Sequence, residues 1–139
     1  MEWFVVLTMV FGGGLAAFNT VAPEAYNQRF GLPEIAFTAS EVKLAEHWHD
    51  KAVEYLDVEK TKIPRFYYWS NSWRSTIDEL LDDSDKIVAY KIKISSRTRA
   101  SNESLARALF HESVHIYGYK DPEVGIIEDD YFFKLESAA

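Results

Sequence analysis

The sequence predicts a small α+β domain, and three observations carry that prediction. One stretch, residues 86–95, alternates apolar and polar side chains as a strand does. Segments with helical stripes and capping residues lie on both sides of it. The resulting order is helix, strand, strand, helix, helix. The expected architecture is a short mixed sheet, a backing helix, a helix carrying the chemistry and a C-terminal helix, preceded by an apolar N-terminal helix. With 139 residues, 47% of them apolar and 15% aromatic, the chain can fill one hydrophobic core. It divides into an apolar segment, residues 1–22, and a domain over residues 23–139.

Trp3 to Ala22 runs without a charge and stops at Pro23. Twenty helical residues span about 30 Å, the thickness of a hydrocarbon core. A secretory signal would carry Lys or Arg near its start, and here only Glu2 and the α-amino group precede the apolar run. The expectation is a membrane-anchored or exported protein, with a cytoplasmic protein that buries this segment as the alternative. Residues 23–37, with two prolines and a glycine, read as a linker.

Thr38 and Glu41 stand in the T-x-x-E relation of a capping box, opening a helix whose stripe is Ala45, Trp48, Ala52, Tyr55 and Leu56. "KIPRFYYW" is rich in β-formers and reads as a strand, with Pro64 at an edge or a strand start. "SNSWRSTIDELLDDSD" reads as a polar loop with one helical turn at most. "DKIVAYKIKISS" is the clearest strand. Val88, Tyr90, Ile92 and Ile94 line one face and Ala89, Lys91, Lys93 and Ser95 the other, predicting a half-buried edge strand. A helix follows with Ser101 or Asn102 as N-cap and Gly118 at its end. A second helix starts with Asp121 as N-cap and Pro122 at the first helical position.

A net charge of −7 and a pI near 5.1 argue against binding nucleic acid by neutralising phosphates. The chain has no cysteine, so any metal must be held by imidazole and carboxylate. "LFHESVHIYGYKD", Leu109 to Asp121, supplies such groups. Positions four apart share one face of a helix, so His111 and His115 can offer two ring nitrogens to one Zn²⁺ ion. Glu112 lies about a hundred degrees round the helix, suited to hydrogen-bond a water at the open metal position and to act as general base.

A catalytic zinc takes three protein ligands and keeps one place for water. No histidine follows His115, so the third ligand must be an acid. Asp121 is one candidate, because Gly118 lets the chain turn under the metal. Glu128 is the other. An antiparallel hairpin turning near residue 120 would bring Glu128 or Asp129 across from the two histidines, and Glu123 is a further possibility.

"HESVHIYGYKD" resembles the zincin metallopeptidases. It fits H-E-x-x-H-x-x-G-x-x-D, the metzincin-type signature with aspartate as third ligand found in small snapalysin-like proteases. The resemblance covers about thirteen residues closely, and residues 86–121 if the strand-then-helix order is included. It implies a zincin-like domain over residues 23–139, with His111, His115 and Asp121 on zinc and Glu112 as general base. It also implies that the strand from Tyr90 to Ser95 is the edge along which an extended peptide pairs. Methionine occurs only at positions 1 and 9, so the methionine turn of metzincins is absent, and a helix carrying Glu128 after the motif is more similar to a minimal gluzincin. The H-x-x-x-H-x-x-G-Y spacing is also similar to the bacterial rRNA-maturation endonucleases.

His47 and His49 alternate on a helix and point apart, so they read as surface residues beside Trp48. Tyr117, Tyr119 and Tyr131 surround the motif as candidate hydrogen-bond donors to an oxyanion, and Lys91, Lys93, Arg97 and Arg99 as a solvated basic edge. The function expected is that of a zinc-dependent peptidase acting on a peptide or protein substrate, with possible membrane association through residues 3–22 and no nucleic-acid partner. The alternatives are a metal-dependent RNA hydrolase and a zinc-stabilised binding module without catalysis.

Overall fold

The structure, a computed structural model, describes residues 34–138. The apolar segment expected to anchor the chain lies outside the described residues. Among the described residues, no helix is long and apolar enough to cross a membrane. The elements are β1 (Glu34–Ala36), α1 (Ala39–Leu56), β2 (Arg65–Ser70), β3 (Thr76–Leu81), β4 (Ile87–Ser95), a 3₁₀ turn (Ser96–Ala100), α2 (Asn102–Ile116) and α3 (Glu123–Ala138). This is the α+β composition the sequence predicts. The described residues fall into two compact units, a sheet built from residues 34–37 and 62–96 and a helical unit built from residues 38–61 and 97–138.

The sheet is mixed, in the order β1-β2-β4-β3. β1 pairs antiparallel with β2, β2 parallel with β4, and β3 antiparallel with β4. Three expectations are corrected here. The linker-like stretch contributes β1 through Glu34, Ile35 and Ala36. The polar loop contains β3, where Ile77 and Leu80 sit opposite Ile92 and Ala89. Acidic neighbours disguise that strand, because "DDSD" forms the hairpin turn that follows it. Asp82 Oδ1 accepts from the backbone N–H of Ser84 at 2.7 Å and of Lys86 at 3.0 Å, and Asp85 takes a left-handed φ of 63°.

The third correction concerns β4, which is an interior strand rather than an edge. Its polar face is covered. Lys91 is 7% exposed, and its Nζ lies 2.6 Å from Glu34 Oε1. Burial draws the Lys91 ammonium below its ordinary pKa, and the Glu34 carboxylate opposes that drift. Alternation of lysine with isoleucine looks solvated in one dimension, whereas in the sheet Glu34, two strands away on β1, and Asp78 of the adjacent β3 supply counter-charges. A peptide cannot pair along β4, since β2 and β3 occupy both its sides. Among the described residues, the edge strands are β1 and β3. On the opposite face Tyr67 and Trp69 of β2 stand in register with Ile92 and Ile94, and Phe37 lies 4.5 Å from the Trp69 ring.

In the helical unit the N-caps expected at Thr38 and Ser101 form, whereas α3 starts at Glu123, so Pro122 precedes the helix and Asp121 is not its N-cap. Thr38 Oγ1 accepts from the Glu41 N–H, and Glu41 Oε1 accepts from the Thr38 N–H at 2.8 Å. Ser101 caps α2 by accepting from the Ser104 N–H at 3.0 Å. Ala52 of α1, Ala106, Phe110 and Val114 of α2, and Val124 and Phe132 of α3 form the core, flanked by Trp48, Tyr55, Leu56, Tyr119, Ile127 and Tyr131. The two alanines let the helices approach closely around Phe110, which stacks on Tyr131 at 4.4 Å and meets Phe132 edge-on at 5.5 Å.

Phe110 has no exposed surface. Phe110→Ala should therefore destabilise the chain by about 3–5 kcal/mol in urea unfolding, through lost burial and the cavity left behind.

Candidate metal centre

α2 places Glu103, Arg107, His111 and His115 at intervals of four, one above another on a single face. The neighbouring face carries Ala106, Phe110 and Val114 into the core, so the histidine face is held at the rim of a packed helix pair. The helix ends at Ile116, and Gly118 turns the chain with a φ of 95°, a conformation that residues with a side chain rarely adopt. That turn carries Asp121 back beneath the two histidines. α3 then runs antiparallel to α2 and brings Glu128 level with His111.

His111 Nε2 and His115 Nε2 are 3.2 Å apart. Asp121 Oδ1 lies 3.5 Å from the first and Asp121 Oδ2 lies 3.6 Å from the second. Zinc–ligand bonds of about 2.0–2.1 Å in a tetrahedron imply donor separations of about 3.3–3.4 Å. The histidine nitrogens stand close to that spacing, each has a different Asp121 oxygen beside it, and with one donor atom per residue the three lie within 4.8 Å of one another. The histidines are half-buried and Asp121 is exposed, so the site opens to solvent on the aspartate side.

The far nitrogens of both rings are occupied. His111 Nδ1 lies 2.8 Å from Glu128 Oε1, and His115 Nδ1 lies 2.9 Å from the backbone carbonyl oxygen of Tyr119. A carbonyl accepts only, and so does an ionised carboxylate, so each Nδ1 carries the proton and donates it. Each Nε2 thereby faces Asp121, and the two lie within hydrogen-bond distance of each other. Of the two candidates for third ligand, Asp121 joins the cluster and Glu128 sits on the opposite side of the His111 ring. The antiparallel hairpin does bring Glu128 to the level of the site, but to the outer nitrogen.

Glu112 is 7% exposed. Burial pushes its carboxyl up from the ordinary 4.5 to about 7; the cationic form of His111 opposes this, while Asp121 and Glu128 reinforce it. For His111, burial disfavours the imidazolium, yet the hydrogen bond to Glu128 and the charges of Glu112, Glu128 and Asp121 outweigh it and raise the ring's pKa. Acidic groups thus concentrate negative potential around the three converging donors.

Other residues singled out in the sequence fall elsewhere. The Tyr117 hydroxyl lies 2.8 Å from His49 Nε2 and accepts from the Thr61 N–H at 3.2 Å, and Tyr131 belongs to the stack on Phe110. Tyr119 contributes its backbone carbonyl. His49 is fully buried, contrary to the surface position expected, because the stripe of α1 is one residue wider than its apolar members and Tyr117 meets the ring's polar edge. His47 stays exposed, edge-on to Trp48. Sequence reasoning overlooks Arg107, whose guanidinium meets Glu103, Glu128 and Asp129. The only signal for it was the four-residue spacing from His111.

No family model matches the chain, and no curated protein or solved structure matches it either.

Removing Asp121's carboxylate should cost more zinc affinity than the 10–100-fold typical of an outer-shell partner, so Asp121→Ala should weaken binding by more than about 100-fold in calorimetric titration. A second expectation concerns the chelated protein. A carboxyl held up in the folded state destabilises the fold once it ionises, so Glu112 costs little below 4.5 and its full amount above about 7. The stabilisation from His111 is complete below the ordinary 6.5 and is lost as pH rises through the raised folded value. Both effects make metal-free protein less stable toward alkaline pH. Glu112→Gln should gain stability on the order of 3 kcal/mol at about pH 8 and little at about pH 5, read by thermal melting in chelator.

Proposed function

We propose that this chain is a zinc-dependent peptidase whose metal is held by His111, His115 and Asp121 and whose general base is Glu112. One observation carries the reading. Two imidazole Nε2 atoms and a carboxylate converge at 3.2–3.6 Å, with both Nδ1 atoms already occupied by acceptors. Two nitrogens and one oxygen make a donor set suited to zinc, and three protein donors leave a tetrahedral ion one further position. When bound, the ion supplies Lewis acidity toward a scissile carbonyl and toward water.

The chain's own groups account for the remaining chemistry. Glu112 receives a proton from the attacking water and passes it to the departing amine, so its carboxyl ends the cycle ionised as it began. Next to a cation this carboxyl ionises more readily than in its absence, which makes it available as a base near neutral pH. The exposed side of the cluster, at Asp121, offers the approach for a substrate. The acidic groups around the site and a net charge of −7 favour a peptide over a polyanionic RNA. A closed site with Glu128 as fourth ligand is disfavoured, because Glu128 is engaged by His111 Nδ1 and Arg107 instead.

The test uses the zinc-loaded full chain with a fluorogenic peptide library and a labelled RNA. Chelator-sensitive peptide cleavage should fall roughly 10²–10⁴-fold in Glu112→Gln, with zinc still bound at the wild-type ratio. Undiminished turnover in that variant would refute the mechanism. RNA cleavage without peptide cleavage would replace the substrate class.

A further inference from the structure

We propose that Glu128 and Arg107 are paired positioning residues for His111, fixing its proton on Nδ1 and its lone pair on Nε2. The inference rests on the zinc reading only where metal affinity is concerned; the proton placement belongs to the chain itself.

Glu128 has one donor on each oxygen. Oε1 faces His111 Nδ1 at 2.8 Å and Oε2 accepts from Arg107 Nη1 at 2.9 Å. The carboxylate is mostly buried, with its side chain 16% exposed. Arg107 is held in turn. Nη1 also reaches Asp129 Oδ1 at 3.0 Å, Nε reaches Glu103 Oε2 at 3.2 Å, and the guanidinium lies 4.9 Å over the Phe132 ring. Hydrogen bonding to these carboxylates raises the guanidinium's pKa still further, so it stays a pure donor. A pure donor on one oxygen and an acceptor-only carboxylate between them leave His111 Nδ1 no role except donor. The polarity of the relay is thus set one helical turn away from the ring it orients.

That logic predicts an outcome that simple loss of packing does not. In Glu128→Gln the side chain keeps its shape but has one oxygen and one NH₂. Arg107 can only donate, so it claims the oxygen, and the NH₂ is left facing His111 Nδ1. The ring must then accept at Nδ1 and carry its proton on Nε2, closing the lone pair that a metal needs. Adding Arg107→Met releases the amide to rotate, its oxygen accepts from Nδ1 again, and the original tautomer returns.

The experiment is long-range ¹H–¹⁵N correlation spectroscopy on metal-free, histidine-labelled full chain above neutral pH, with zinc titration alongside. Wild type should show a protonated Nδ1 on His111, Glu128→Gln a protonated Nε2, and the double variant the wild-type pattern. His115 should be unchanged throughout, because the Tyr119 carbonyl orients it independently. The zinc Kd should rise about 10–100-fold in Glu128→Gln and fall back toward wild type in the double variant. An unaltered His111 tautomer in Glu128→Gln, or one that stays inverted in the folded double variant, would overturn the proposal. Should circular dichroism show the double variant unfolded, the single variant's spectrum decides. Wild-type protein that binds no zinc would remove the peptidase reading, while the tautomer pattern would still judge this one.

Discussion

Two imidazole nitrogens face each other across 3.2 Å because the opposite nitrogen of each ring already donates its proton, one to Glu128 and one to the Tyr119 carbonyl. A pair of lone pairs at that distance is repulsive in itself and favourable once positive charge lies between them. The Asp121 carboxylate closes the same space from below. Glu112 and Glu128 add further negative potential, as the raised His111 pKa records. The electrostatics of this corner of the molecule therefore favour positive charge among the three donors, and the surrounding helices hold those donors in place.

The holding is done by ordinary packing. Phe110 and Val114 lock α2 into the helical core, so the adjacent residues His111 and His115 have little freedom of position. Gly118 supplies the turn that no β-carbon would tolerate cheaply, and it fixes how Asp121 re-approaches the helix. Between α2 and α3, Arg107 ties Glu128 and Asp129 to the same helical face as the histidines. Polar convergence and apolar packing are thus built on alternate faces of one fifteen-residue helix.

Much of this was legible in the sequence wherever a pattern is local. The capping box at Thr38, the cap at Ser101, the stop at Gly118 and the i, i+4 histidines depend on residues within one or two turns, and the structure places them as expected. What depends on distant partners was not legible. The lysines of β4 looked solvated because Glu34 lies more than fifty residues away in a segment that resembles a linker. β3 was hidden by acidic residues whose role is the turn that follows it. Glu128 was recognised as reaching the site, yet only the hairpin's depth decides whether a carboxylate meets the inner or the outer nitrogen of a ring. His49 needed Tyr117, 68 positions away, to explain its burial.

The central claim is that one divalent ion bridges His111, His115 and Asp121. Zinc-edge X-ray absorption on the full chain, loaded with one equivalent of zinc, addresses it directly. The account predicts a four-coordinate ion with two imidazole shells and oxygen donors at about 2.0–2.2 Å. A spectrum without imidazole scattering, or one unchanged when both histidines are replaced, would contradict it.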